Sequence, residues 1–309
     1  MSVPRRVLVT GASGFIGRPA VVALQKCGYE THVVSRNVAQ SPIGTIQHQA
    51  NLLDFDEQRQ LIERVRPTHL VHLAWSVEPG RFWTDFANLD WVAASLSLVR
   101  AFAEGGGQRA VFAGTCAEYD WSFENLIEHE TPLRPKTLCG AAKLGLWTII
   151  EALGRQTGVS VAWGRLFFVF GPGEASNRLV SDICSSLLTN KPVACTEGRQ
   201  QRDFLHVADA ASALVALLSS ETQGPVNIAR GQTFAVRDIV LTLARQIGRP
   251  DLIQLGARPS PVDEPMRLAA AAKILTNEVG FLPCFDMERG LADTLAWWRQ
   301  EIGEGSRNP

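Results

Sequence analysis

The sequence has no apolar run approaching the roughly 20 residues that a membrane-spanning helix requires. Its net charge is only -1, from 30 Lys+Arg and 31 Asp+Glu. It therefore lacks the basic surface of a protein that binds nucleic acid or an anionic membrane. The opening "MSVPRRVLVTG" leads into a strand without the apolar stretch and cleavage site of a secretory signal, so a cytoplasmic location is expected. Cysteine is sparse: the six, at 27, 116, 139, 184, 195 and 284, include no C-x-x-C pair, which points to reduced thiols rather than a disulfide framework. The six histidines show no zinc-ligand spacing with them, and no metal is expected. Tyrosine is scarcer still, with only Tyr29 and Tyr119, so chemistry that needs a phenol has two places to find one. These absences leave a small molecule as the expected ligand.

What is present is alternation. Short β-rich runs ("RRVLVTG", "THVVSR", "TIQHQA", "HLVHLAW", "RAVFAG", "VSVAWGRLF") are interleaved with helical stretches at 15–27, 55–66, 84–104 and 136–157. That order predicts an α/β fold, a Rossmann-type doubly wound parallel sheet with its ligand at the carboxyl ends of the strands. The apolar strand runs fit burial on both faces. Beyond about residue 170 the elements shorten and are separated by Gly and Pro, as in "FGPGEAS", "TNKPVACTEG" and "GARPSPVDEP", which are loop signals. The expected division is a dinucleotide-binding part at 1–170 and a smaller, mixed substrate-binding part at 171–309, from which a segment near 205–230 returns to the first.

"VLVTGASGFIGRPAVVAL" places Gly11, Gly14 and Gly17 between a strand and a helix. Glycines there permit a tight turn and close backbone approach, and the helix N-terminus offers free N–H groups to a pyrophosphate. The next strand ends in Ser35 and Arg36 rather than in the acid that would hold a ribose 2′-hydroxyl. A hydroxyl and a guanidinium suit a 2′-phosphate, so NADP is favoured and NAD is the alternative.

With these features, "TGASGFIG", "VHLAW", "AGTCAEYD", "CGAAK", "FGPG" and "RQQRDFLHVADAASAL" make the chain similar over nearly its whole length to the extended short-chain dehydrogenase/reductase family. That is the group of nicotinamide-dependent nucleotide-sugar epimerases, dehydratases and ketoreductases. The resemblance implies cofactor contacts at Ser13, Phe15 and Ile16 beside the three glycines, and at Asn51, Leu52, Leu73, Ala74 and Phe167. It gives Lys143 the nicotinamide ribose and the task of lowering the pKa of a neighbouring acid, and Thr115 a hydrogen bond to the oxygen at the reacting carbon. Arg202 takes the place of an arginine that pairs with the substrate's diphosphate, with Arg178 and Arg258 as further phosphate contacts. Asp203 and His206, in the same stretch as Arg202, are expected to be structural. A homodimer through the helices at 84–104 and 136–157 is implied as well.

The departures from the family pattern narrow the chemistry. Asn51 replaces an Asp that touches the adenine, and Phe168 stands where many members have an Asn on the diphosphate. Cys116 and Ala117 follow Thr115 where sugar 4,6-dehydratases carry Asp-Glu, so the acid and base for eliminating water are missing. Glu118 is expected to be a solvated or helix-capping carboxylate, pointed away from Thr115 by strand alternation. In "PKTLCGAAK" a Cys stands four residues before Lys143, at the place of the family's catalytic Tyr. Cys139 is a candidate proton donor, or the wall of a site where water donates, or a small buried hydrophobe in a weakened site. Tyr119 is the remaining candidate donor. The expected activity is hydride transfer between a nicotinamide cofactor and a nucleotide-linked sugar, by 4-keto reduction or 4-epimerisation. The alternative is a dinucleotide-binding sensor without catalysis.

Overall fold

The computed structural model describes residues 5–36 and 44–305, so the first residues of "MSVPRR" and the end of "VVSRN" lie outside it. The chain begins with β1 (Arg6–Thr10), α1 (Gly17–Lys26), β2 (Glu30–Ser35), β3 (Ile46–Gln49), α2 (Phe55–Val65), β4 (His69–His72), α3 (Ala87–Glu104) and β5 (Arg109–Thr115). After β6 (Asn125–Leu126) come α4 (Leu138–Thr157), β7 (Ser160–Leu166), β8 (Phe168–Phe170), α5 (Leu179–Leu188), β9 (Val193–Ala194), β10 (Gln201–Arg202) and β11 (Phe204–His206). The remainder is α6 (Val207–Ser219), β12 (Gly224–Ile228), β13 (Phe234–Ala235), α7 (Val236–Ile247), β14 (Ile253–Gln254), β15 (Arg267–Ala270), α8 (Lys273–Asn277) and α9 (Met287–Gly305).

Seven strands form one parallel sheet in the order β12-β7-β5-β4-β1-β2-β3. Strand order reverses between β1 and β4, which opens a crevice at their carboxyl ends. Apolar residues of α1 and α6 cover one face of this sheet, and those of α2, α3 and α4 cover the other. This explains why Val7, Leu8, Leu70, Val71, Ala110 and Val111 are all fully buried whichever way they point. A smaller mixed sheet, β13-β10-β15-β6, stands beside it. A second core of α5, α7 and α9 packs with Phe170 and Phe204. Residues 207–228 lie against the large sheet, α6 packing on α1 and β12 running beside β7.

Local chemistry sets the ends of the helix that carries Cys139 and Lys143. Thr137 caps α4 by accepting the Gly140 N–H at 3.1 Å, and Gly158 ends it in the left-handed region at φ 79°. Thr137 has the extended backbone of a cap, so the helix begins at 138 rather than at the expected 136.

Candidate active site

At the crevice, the loops after β1 and β4 touch. Gly11 has φ +71°, and a Cβ on it would lie 2.8 Å from the Ala74 nitrogen; a Cβ on Gly17 would lie 2.0 Å from the Gly11 carbonyl oxygen. Neither position has room for a side chain. No side chain caps α1 at Ile16, so the positive dipole end of the helix carries no side-chain acceptor of its own. Around them, the Ser13 carbonyl accepts from Arg18 Nε at 3.0 Å, and Phe15 is half-buried.

Thr10 fixes the second loop. Its Oγ1 accepts the Leu73 and Ala74 N–H groups, each at 3.2 Å, and therefore donates its own hydrogen to His72 Nδ1 at 2.9 Å. His72 in turn donates from Nε2 to Ser95 Oγ at 2.9 Å, and burial pushes its pKa down to about 3, which keeps it neutral. A side-chain-free cradle at an uncapped helix N-terminus fits the pyrophosphate of a dinucleotide.

Farther along this edge, Ser35 is half-buried and Arg36 is exposed at the end of β2. Asn51 is also exposed; its Oδ1 accepts the Leu53 N–H at 3.2 Å and its own N–H donates to Glu57 at 2.7 Å. The side-chain oxygen of Asn51 is thus engaged by its own loop. Leu52 is buried beneath it.

The reaction end is built where β5 meets α4. Thr115 Oγ1 accepts the Ala117 N–H at 3.2 Å, which leaves its O–H hydrogen free to be donated elsewhere. A Cβ on Gly140 would lie 2.5 Å from the Ala117 carbonyl oxygen, so glycine at 140 is what brings the start of α4 against the segment after Thr115. Cys139 is buried, with its N–H bonded to the Trp83 carbonyl at 3.1 Å. Lys143 is buried too: Nζ donates to the Ala113 carbonyl at 2.8 Å and lies 3.6 Å from the centre of the Trp75 ring. Burial lowers its pKa to about 8, against the opposing pull of Cys139 and Glu118.

Burial also raises the Cys139 thiol, and the nearby lysine does not offset it. The lysine was expected to lower this thiol. The correction is that desolvation outweighs one neighbouring charge, and Cys139 stays protonated through neutral pH.

Glu118 is the helix-capping carboxylate of the two readings, closing a capping box with Thr115, but it is neither solvated nor turned away from Thr115. The chain turns into a short 3-10 helix directly after Thr115, so strand alternation does not apply. The carboxylate is fully buried and returns to accept the Thr115 N–H at 2.8 Å, the Trp163 indole N–H at 2.9 Å and Arg165 Nε at 2.8 Å. Tyr119 gives its hydroxyl hydrogen to Asn227 at 2.8 Å and accepts from Arg165 at 3.0 Å. These bonds engage the hydroxyl away from the Cys139–Lys143 pair, and burial raises its pKa.

Among the expected phosphate contacts, Arg202 is buried on β10, paired with Glu264 at 2.8 Å and placed over the Phe168 ring. Arg178 precedes α5 and stacks on Phe82, next to the Trp83 whose carbonyl holds Cys139. Arg258 is exposed, its N–H bonded to the Cys195 carbonyl at 3.0 Å. No hydrogen bond or ion pair among the described residues joins it to Arg202 or Thr115. Phe167 is buried with Cys116 and Tyr119 in the core beneath Thr115. Asp203 accepts the Arg230 and Gly231 N–H groups, each at 2.8 Å, and His206 caps α6 and meets Asp293.

Sequence reasoning missed Trp75, which covers Lys143 and is held by Asn88 Oδ1 at 2.8 Å. Its position at the carboxyl end of a parallel strand was the available signal. The geometry gives one direct expectation for Cys139. At pH 7.5, iodoacetamide should modify the exposed Cys27 and Cys284 well before Cys139, as read by peptide mass mapping; early labelling of Cys139 would show a thiolate that this packing does not produce.

Residues 7–229 match the NAD dependent epimerase/dehydratase family. The chain is 25% identical over 318 residues to UDP-glucuronic acid decarboxylase 1 of Xenopus tropicalis, covering 98% of this chain and 74% of that protein. It is 27% identical over 327 residues to UDP-glucose 4-epimerase of Azospirillum brasilense, covering 96% and 92%. Among solved structures it is similar to MoeE5 in complex with UDP-glucuronic acid and NAD, with TM-score 0.82 and 26% identity over 96% of this chain and 99% of that one. With the crevice, the glycine cradle and a match over most of its length, the chain belongs to the NAD dependent epimerase/dehydratase family.

Proposed function

We propose that this protein is an NAD(P)-dependent oxidoreductase or epimerase acting on a nucleotide-linked sugar, by reduction of a 4-keto group or by 4-epimerisation. The observation that carries the reading is the convergence of Thr115, Cys139 and Lys143 at the sheet edge, through the Gly140–Ala117 contact. The relatives named for UDP-sugar decarboxylation and 4-epimerisation support the substrate class. A sensor without catalysis has no specific support: a simple binder does not require a buried lysine beside a free hydroxyl.

The pyrophosphate of the cofactor would lie on Gly11–Gly17, with Leu73, Ala74 and Lys143 toward the nicotinamide ribose. When bound, the nicotinamide takes or gives the hydride. Thr115 donates its free O–H hydrogen to the oxygen at the reacting carbon. Lys143 spends one N–H on Ala113 and keeps its charge near that oxygen, helped by the face of Trp75. Cys139 holds the proton, either for direct donation or through a water between its short side chain and the substrate. The cofactor assignment extends to a preference for NADP through Arg36. Self-association through α3 and α4, which expose Leu89 and Ile149, completes the reading.

Three outcomes are expected. Hydride transfer should fall as pH rises through about 8, where Lys143 loses its charge; the groups facing it are Cys139, Glu118 and His72. Cys139→Ala should lower the rate about 10²-fold or more, whereas Tyr119→Phe should leave the pH profile in place; full rate in Cys139→Ala with an unchanged profile would remove the thiol from the mechanism. For the cofactor, calorimetric titration should show NADP(H) binding tighter than NAD(H), and Arg36→Ala should weaken only NADP(H). Equal affinities in the unaltered protein would overturn the preference.

A further inference from the structure

Arg202 already has an anion. Its guanidinium is 6% exposed and bonds through NH2 to Glu264 at 2.8 Å, while NH1 donates to the Gln201 carbonyl at 2.9 Å. The two partners are held very differently. Arg202 belongs to β10, inside the small sheet between β13 and β15. Glu264 belongs to the loop joining β14 to β15, where Val262 is fully exposed and Met266 is 59% exposed. Its own side chain is 27% exposed.

We propose that Glu264 is a specificity-determining residue: its carboxylate occupies the place of a substrate phosphate on Arg202, and a phosphate-bearing substrate binds by taking that place. This rests on the reading of Arg202 as the phosphate anchor. A buried guanidinium left without a partner is strongly unfavourable, so only another anion can displace Glu264. A neutral ligand leaves the pair closed. A phosphate offers more oxygens and can engage the guanidinium through two parallel N–H bonds, whereas Glu264 accepts from NH2 alone. The exchange is feasible from the carboxylate's side because Glu264 is part-exposed and loses little by moving into water. Beside it lies a cleft of about 340 Å³ lined in part by Glu197, Arg199, Gln200 and Ser260, with Arg199 already paired to Glu197 at 3.6 Å; it gives the displaced side chain room. The device makes the site select for phosphate charge before any contact with the sugar.

The test is calorimetric titration of the full chain with UDP, dTDP, CDP and GDP, using the parent nucleosides as controls. Glu264→Gln keeps the size of the side chain and removes its charge, and a thermal melt confirms that the variant is folded. The variant should bind the best nucleoside diphosphate about five- to tenfold more tightly than the unaltered protein, the scale of one part-exposed ion pair. Its affinity for the nucleoside should not change. Equal or weaker diphosphate binding in Glu264→Gln overturns the exchange and makes Glu264 a support for Arg202. If Arg202→Ala leaves diphosphate affinity intact, the anchor itself was misassigned. Failure of every diphosphate to bind either protein removes the nucleotide reading and this proposal with it.

Discussion

The site depends on one buried carboxylate. Glu118 returns to the backbone of Thr115, takes the indole hydrogen of Trp163 and neutralises Arg165, whose side chain is 1% exposed. It thereby ties the end of β5 to β7 at the level where the substrate oxygen is expected. Neither member of the Glu118–Arg165 pair can be removed alone without leaving an unpaired charge in the core, a loss of about 3–5 kcal/mol. Tyr119, Asn227 and Glu128 extend the same network toward β12. The Thr115 hydroxyl is therefore placed by a rigid support beneath it.

Burial, more than any charge partner, sets the chemistry above that support. It lowers Lys143 to about 8 and raises Cys139. Both effects come from burial: in the resting site a protonated thiol and a lysine near its titration point stand side by side. The ring of Trp75 is the local compensation for the ammonium. In this account the small side chain at 139 holds its proton until the substrate oxygen takes it, while the lysine supplies the charge.

Much of this was legible in the sequence because it follows from backbone constraints. Gly11 and Gly17 could be read as a cradle since no other residue fits there, and the apolar strands declared a sheet covered on both faces. The helix starts at 136 and 84 were misplaced by two and three residues; the Thr137 cap sets the first, and the second begins at Ala87 without a side-chain cap. The capping role of Glu118 was legible three residues from Thr115, but its burial was missed because its other partners, Trp163 and Arg165, lie 45 and 47 residues away, and no local pattern reports such a contact. The same applies to Glu264 on Arg202, 62 residues apart. Trp75 was hidden by its type, since a tryptophan after a buried strand reads as core until the lysine beneath it is seen.

The most direct test is the nicotinamide absorbance in a single turnover. Protein loaded with reduced cofactor is mixed with a 4-keto nucleotide sugar, alongside Lys143→Ala and Thr115→Ala. The account predicts loss of the reduced-nicotinamide signal in the unaltered protein and a rate lower by about 10²-fold or more in both variants. An unchanged rate in either variant, with cofactor still bound, would contradict the assignment of these two residues to the reacting centre.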